Sequence, residues 1–350
     1  MLRAELDALP IKEQTGLPYM STEYMADMWG QEHDVMHACG HDMHMACLIA
    51  AAKLLSDARS EWSGTLEVLF QPNEEHTGGA EAMVNDGIYE RIPIPHVVMA
   101  QHLLQIPSGT VSVRGGPVLV SADTVKVRIF STMGHAANPQ VAVDVGIVAS
   151  KIIVRLHDSV QQVSKGGYAA ISVQEIHAGA PGLDWVEYLD MVLDVKAYDP
   201  AIRNRLLELT TAIIEDEVAA SGAVQRPLIT SSIRAPATVN DEEIAEHVRA
   251  SFVRFFGRDN VLQDLPSHPC EDFSILAAAA NASYLFWFLG RTDPISFHSV
   301  AQEKDKLLDK IPIEHSPFNA PIMHPTMETG MNALSLAALS FLRGGASSRV

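Results

Sequence analysis

The chain has 350 residues, and its 43 Asp and Glu outnumber 25 Lys and Arg for a formal net charge of −18. That balance, with no Lys/Arg cluster to interrupt it, argues against nucleic acid or an anionic membrane surface as a partner. A hydrophobic content of 47% over this length allows two domains, each with its own core. The 3 cysteines, Cys39, Cys47 and Cys270, are an odd and sparse set, so a reducing compartment is expected rather than a disulfide framework. The start, MLRAELDALP, carries Arg3, Glu5 and Asp7 and is not an apolar signal segment. The most apolar window, Leu276 to Leu289, is broken by Asn281 and Ser283 and is too short to span a bilayer. A soluble, cytoplasmic protein is the expectation from these features.

In chain order, Met43 to Ser56 is rich in Ala, Leu and Met and predicts a helix directly after a Cys-Gly-His-Asp turn. Thr65 to Phe70 predicts a strand running into a loop that holds Glu74 and Glu75. Gly78 and Gly79 then allow a tight turn into a helix over Ala80 to Asp86, and His96 to Gln101 predicts a strand with His102 at its end. From about residue 121 the texture changes. Strands are predicted over Asp123–Phe130, Tyr168–Ile176, Trp185–Ala197 and Pro227–Ile233, and helices over Val141–Val160 and Pro200–Ala220. That order is β-α-β-β-α-β, a ferredoxin-like split motif. After Asn240 the α/β texture returns and ends in a helix over Thr329–Leu342, so the second domain reads as an insertion into the first.

Two stretches carry chemistry, MHACGHDMHMA (36–46) and QPNEEHTGGA (71–80). Cys39 and His41 offer a thiolate and an imidazole, and Glu74 and Glu75 two adjacent carboxylates. These are ligand types of borderline divalent metals, and a second carboxylate beside a ligand is the base that a hydrolytic water needs. Taken alone, Cys39 also reads as a small buried hydrophobe and the glutamate pair as a solvated loop. His33, His37 and His44 read as surface or supporting histidines. Because His102 and His315 also sit beside Gly or Pro in irregular segments, the set as a whole reads as a metallohydrolase.

RAELDALPI, HACGHD, QPNEE, QHLLQIPSG, GHAANPQ, CEDF and HSPF occur in that order along the chain. Together they resemble the metal-dependent amidohydrolases that include aminoacylases, hippurate hydrolases and auxin-conjugate hydrolases, within the aminoacylase/carboxypeptidase metallopeptidase family. The resemblance implies an α/β catalytic domain, a mixed sheet flanked by helices, over residues 1–117 and 232–350. A ferredoxin-like lid and dimerisation domain over 118–231 would be inserted into it. It also implies two divalent ions, Zn or Mn, held by Cys39, His41, Glu75, His102 and His315, typically about 3.5–4 Å apart. Glu74 matches the family's general base, Asp7 an acidic residue that orients a ligand, and His135 a lid histidine that stabilises the oxyanion.

The implied reaction is hydrolysis of the amide of an N-acyl amino acid or similar small conjugate, in a homodimer formed through the lid. The alternatives are a dipeptidase or carboxypeptidase with the same centre, and an inactive metal-binding relative. Three departures stand out. Gln140 replaces a frequent histidine. Leu183 or Asp184 stands where an asparagine is usual, and Lys196 stands at an arginine, so a substrate-carboxylate clamp assigned to Lys196 and Asp184 is altered. The family also carries more chain before RAELDALP, so a missing sheet neighbour and an exposed strand edge near Arg3 to Ala8 are expected.

Overall fold

The computed structural model describes residues 1–27, 29–132, 143–164, 167–179, 186–263, 269–301 and 311–342. The chain divides into two compact units, Met1–Val118 with Val239–Ser267 and Asp272–Val350, and Leu119–Thr238 with His268–Glu271.

The first unit opens with β1 (Leu2–Glu5), a small hairpin of β2 (Tyr24–Ala26) and β3 (Glu32–Asp34), and helix α1 (His41–Asp57). It continues through β4 (Val68–Gln71), α2 (Gly79–Asn85), α3 (Ile88–Arg91), β5 (Val97–Pro107) and β6 (Val111–Ser112). After β7 (Gly116–Leu119) the chain enters the second unit. There β8 (Ser121–Phe130), α4 (Val145–Val163), β9 (Ala169–Ala178), β10 (Tyr188–Ala197), α5 (Pro200–Ala220) and β11 (Leu228–Ala235) follow in turn. The return passes β12 (Thr238–Asn240) to α6 (Glu242–Phe256), β13 (Val261–Leu262), α7 (Phe273–Ala279), β14 (Ser283–Thr292), α8 (Pro294–Ala301) and α9 (Thr326–Leu342).

The first unit is built on a 6-stranded sheet in the order β13-β6-β14-β5-β1-β4. β1, β4, β5 and β14 run parallel, with Leu2 opposite both Val68 and Met99, and Leu285 opposite Met99. β14 pairs antiparallel with β6, so the sheet is mixed. The apolar window Leu276–Leu289 divides between α7 and the central strand β14, whose residues Leu285 to Thr292 are all buried. Burial on both faces is why it shows no alternation. Leu48, Leu55, Phe252, Trp287, Leu289 and Leu334 form the heart of this core.

The exposed edge expected near Arg3 does not exist. β1 lies between β5 and β4 and all 4 of its residues are buried; the edge strand on that side is β4. β1 has partners on both sides, because its parallel neighbours β4 and β5 come from far along the sequence.

The second unit is a 4-stranded antiparallel sheet, β11-β8-β10-β9, with the β-α-β-β-α-β order read from the sequence. Asp144 and Asp199 cap the N-termini of α4 and α5 by accepting backbone N–H bonds, which fixes where those helices start. Val125, Val127, Ile129, Ile152, Leu193 and Ile213 fill its core. No helix among the described residues is long and apolar enough to cross a membrane.

Candidate metal centre

Two short turns bring the donors of the first unit together. Gly40 takes φ +82°, and a Cβ there would sit 2.4 Å from Leu103 Cδ1, so the Cys39-Gly40-His41 turn requires glycine. It places His41 as the first residue of α1, two residues earlier than the sequence suggested. The second turn leaves β4 at Gln71. The ends of the glutamate loop approach so closely that a Cβ at Gly79 would lie 1.6 Å from the Pro72 carbonyl oxygen. Asn73 and Thr77 within it adopt left-handed φ of 56° and 51°.

His41 Nδ1 donates to the Asp7 carbonyl oxygen at 2.9 Å. That bond sets the tautomer and leaves Nε2 free of hydrogen-bond partners in a buried position, 3.7 Å from Glu74 Oε2 and 3.9 Å from Glu75 Oε1. His102 is arranged alike. Its Nδ1 donates to the Leu103 carbonyl oxygen at 2.8 Å, and its Nε2 lies 3.5 Å from Cys39 Sγ. His102 lies inside β5 rather than at the end of a strand. His315, at a left-handed φ of 64°, places Nε2 3.1 Å from Glu75 Oε2. Its backbone N–H donates to the Ala38 carbonyl oxygen at 3.0 Å, tying it to the cysteine turn. Asp7 Oδ2 accepts the Glu75 backbone N–H at 3.0 Å, so Asp7 contacts both His41 and the glutamate loop.

The donor atoms group into triplets whose members lie within 4.8 Å of one another: Cys39, His41 and His102; Cys39, Glu75 and His315; and His41, Glu74 and Glu75. Cys39, His41 and Glu75 each belong to two of them, so the set is one continuous cluster. It fits divalent metal on chemistry and geometry together. The ligand types are mixed soft and hard, and His41 Nε2 and Glu75 Oε1 are buried without hydrogen-bond partners.

The electrostatics agree. Burial pushes the Cys39 thiol well up, and the nearby Glu75 and Glu74 carboxylates push it further. Burial alone would lower His41, but the Asp7 carboxylate, with its Oδ1 3.4 Å from Nδ1, and the charges of Glu5 and Glu75 raise it to about 9. Burial also works to raise Glu75, yet the hydrogen bond and charge of His315, with His41, hold it below the usual range. Burial holds His102 down and neutral, in the form that ligates metal. Thiol, acids and imidazoles thus compete for protons that a dication would displace.

Of the remaining expected residues, Lys196 lies in β10 with Nζ 3.3 Å from Asp194 Oδ2, and Asp194 Oδ1 also accepts from Arg234 at 2.7 Å. His135 and Asp184, with Gln140 and Leu183, lie outside the described residues. Sequence reasoning missed a buried layer beneath the cluster. Glu5 accepts from Arg3 and, at 2.7 Å, from His44 Nδ1; His44 Nε2 in turn accepts the Leu103 N–H at 2.9 Å. It also missed Arg291, which binds Glu314, Asn319 and the Pro312 carbonyl, and so braces the segment that carries His315. Arg3 and Glu5 fall on the same face of β1, the one available signal, but in a sequence such a pair reads as solvated.

A model of the peptidase family M20/M25/M40 matches residues 1–313, and the chain belongs to that family. It is 33% identical over 290 residues to the N-acetyl-L-cysteine deacetylase of Bacillus subtilis (strain 168), spanning 82% of this chain and 65% of that protein. Hippurate hydrolase of Campylobacter jejuni is 30% identical over 310 residues, spanning 88% of this chain and 77% of that protein. Among solved structures, the Bacillus subtilis YXEP protein, a dinuclear metal-binding peptidase, superimposes with a TM-score of 0.71 at 24% identity, covering 97% of this chain and 79% of that one. At that identity the likeness shows the fold.

Proposed function

We propose that the protein hydrolyses the amide bond of N-acyl amino acids or similar small conjugates, with two divalent ions held by Cys39, His41, Glu75, His102 and His315. One observation carries the reading. Two imidazoles have their Nδ1 atoms tied to backbone carbonyls, and both present Nε2 to the cluster that contains Cys39 and the glutamate pair. The relatives named as N-acetyl-L-cysteine deacetylase and hippurate hydrolase support the substrate class.

Bound there, the ions supply Lewis acidity and make water a stronger acid near neutral pH. Glu74, only 6% exposed, supplies the proton transfer: a carboxylate oxygen takes a proton from the attacking water and returns it to the leaving nitrogen. Glu75 is held as a carboxylate and serves as ligand. Asp7 orients it, and orients His41, through the bonds described above. On the resemblance, oxyanion stabilisation falls to His135, and the substrate's acid end would meet Lys196 and Asp184, the first attracting a carboxylate and the second repelling it. Lys196 offers a point charge already shared with Asp194, so a weak preference for free acids over their esters or amides is expected. A homodimer through the four-stranded unit is proposed on the same basis, and sedimentation would read it.

The test is metal analysis and a hydrolysis panel on one preparation, comparing N-acyl amino acids, their esters and free-amine dipeptides. Metal-dependent turnover of the acyl compounds is expected. Turnover of dipeptides alone would make it a peptidase, and metal binding with no turnover would make it an inactive relative.

A further inference from the structure

The CEDF segment has no part in the chemistry above, yet its aspartate touches both ends of the glutamate loop. Asp272 is fully buried. Its Oδ1 accepts from Gln71 Nε2 at 2.6 Å, where β4 ends and the loop begins, and lies 3.4 Å from Arg3 Nη2. Its Oδ2 accepts the Ala80 backbone N–H at 2.9 Å, where the loop has just entered α2. Gln71 Oε1 in turn accepts from Arg3 Nε at 2.9 Å, which fixes the orientation of its amide.

Between those anchors the loop's own bonds are few, the Glu74 carbonyl oxygen accepting the Thr77 N–H at 2.6 Å. Asn73 and Thr77 sit at positive φ, a conformation that non-glycine residues rarely adopt and that persists where the surroundings hold it. Within the loop, the Asn73 carbonyl oxygen receives the Gly78 and Gly79 N–H groups at 3.2 and 3.1 Å, which closes the turn but does not tie it to the fold. Asp7 ties the middle of the loop to the fold by accepting the Glu75 N–H, and the Asp272 carboxylate ties both ends.

We infer that Asp272 is a positioning residue: one buried carboxylate pins both ends of the loop and so aims Glu74 and Glu75 at His41 and His315. The inference rests on the proposed roles of those two glutamates. Asp272 touches none of the reacting groups and acts through the backbone. A buried aspartate that merely satisfied its own hydrogen bonds would stabilise the fold as a whole. One that positions the loop controls the loop separately.

Asp272→Asn and the double variant Gln71→Glu/Asp272→Asn distinguish these. In the single variant an amide NH2 must face a donor, either the Ala80 N–H or the Gln71 amide. The double variant returns an acceptor opposite that NH2, keeps a carboxylate beside Arg3 and preserves net charge. In metal-free protein, hydrogen exchange at residues 73–80 should quicken about tenfold or more in the single variant, while β5 and β14 keep their protection. In loaded protein kcat should fall about 10- to 100-fold with KM within about twofold, the scale of a displaced catalytic group. The double variant should recover most of both. If Asp272→Asn does not fold, Gln71→Ala, which releases one end only, should show the same local loosening. Exchange that rises equally in β5, β14 and the loop, with unchanged kcat per metal-loaded molecule, would overturn the inference. So would a double variant no better than the single. Should the wild type hydrolyse no acyl compound at all, the functional reading fails while the exchange arm still decides the clamp.

Discussion

The two units bury charge to different depths. In the four-stranded unit the core cluster is apolar, the buried carboxylates Asp123 and Asp194 pair with the partly exposed Arg203 and Arg234 at its margin, and Arg128–Asp190 pairs at the surface. In the metal-centre unit Arg3, Glu5, His41, His44 and Asp272 lie at or near zero exposure beneath the donor cluster. A buried ion pair stabilises a fold less than well-packed hydrocarbon of the same size would. Unit one therefore holds its charges for what they orient: Glu5 holds His44, His44 holds the peptide beside His102, and Asp272 holds the glutamate loop. One unit was built for packing, the other for placing donors.

Breaking the buried layer should cost most. Burial resists ionisation of Glu5, but Arg3 and His44 keep its carboxyl well below the usual range. Glu5→Gln should lower unfolding stability of the metal-free protein by about 3–5 kcal/mol, the scale for leaving a buried partner uncompensated. A loss below about 1 kcal/mol in urea unfolding would mean the layer tolerates neutralisation and the contrast between units is overstated.

The glutamates sharpen the contrast within the cluster. Glu74→Gln should keep metal and fold but lose at least about 10²-fold in kcat. Glu75→Gln should lose metal instead, since a neutral amide is a poor ligand. Metal loss in Glu74→Gln alone would reverse the roles.

Alkaline pH probes burial without the site. Burial pushes the Cys47 thiol up to about 12. An ordinary thiol ionises near about 8.5. The unfolded chain therefore releases this proton first, so the stability contributed by protonated Cys47 is present below about pH 8.5 and is lost as pH rises toward 12. Replacing Cys47 with Ala should flatten the fall in stability between pH 8.5 and 10.5 by up to about 1.4 kcal/mol per pH unit. An unchanged slope would show that Cys47 is not titrating there.

The smallest effect belongs to the four-stranded unit. Arg128→Ala removes a surface pair with side chains 40% and 36% exposed, and should barely lower the midpoint of urea unfolding. A larger loss would place that pair among the structural ones.

How much of this was legible follows the same division. In the four-stranded unit the alternation of β8, the capped helices and their order were readable, because β8 alternates buried with more exposed residues and local pattern records it. Cys39, His41, Glu74 and Glu75 were readable from composition at the turns. The position of β1 was not, since pairing with β4 and β5 depends on residues about 66 and 97 positions away and leaves no local mark. His102 reads as a strand-end residue only if the strand is cut short; a strand buried on both faces gives no periodicity to say where it stops. The clamp by Asp272 depends on a contact spanning 201 residues to Gln71, which no window contains.

The most direct test is the metal content of exhaustively dialysed, reloaded wild type beside Cys39→Ser, His102→Ala and His315→Ala, each confirmed as folded by circular dichroism. The account predicts up to two divalent ions per chain in the wild type and a clear loss in every variant, because each removes a donor from a shared cluster. Metal content unchanged across all of them would contradict it.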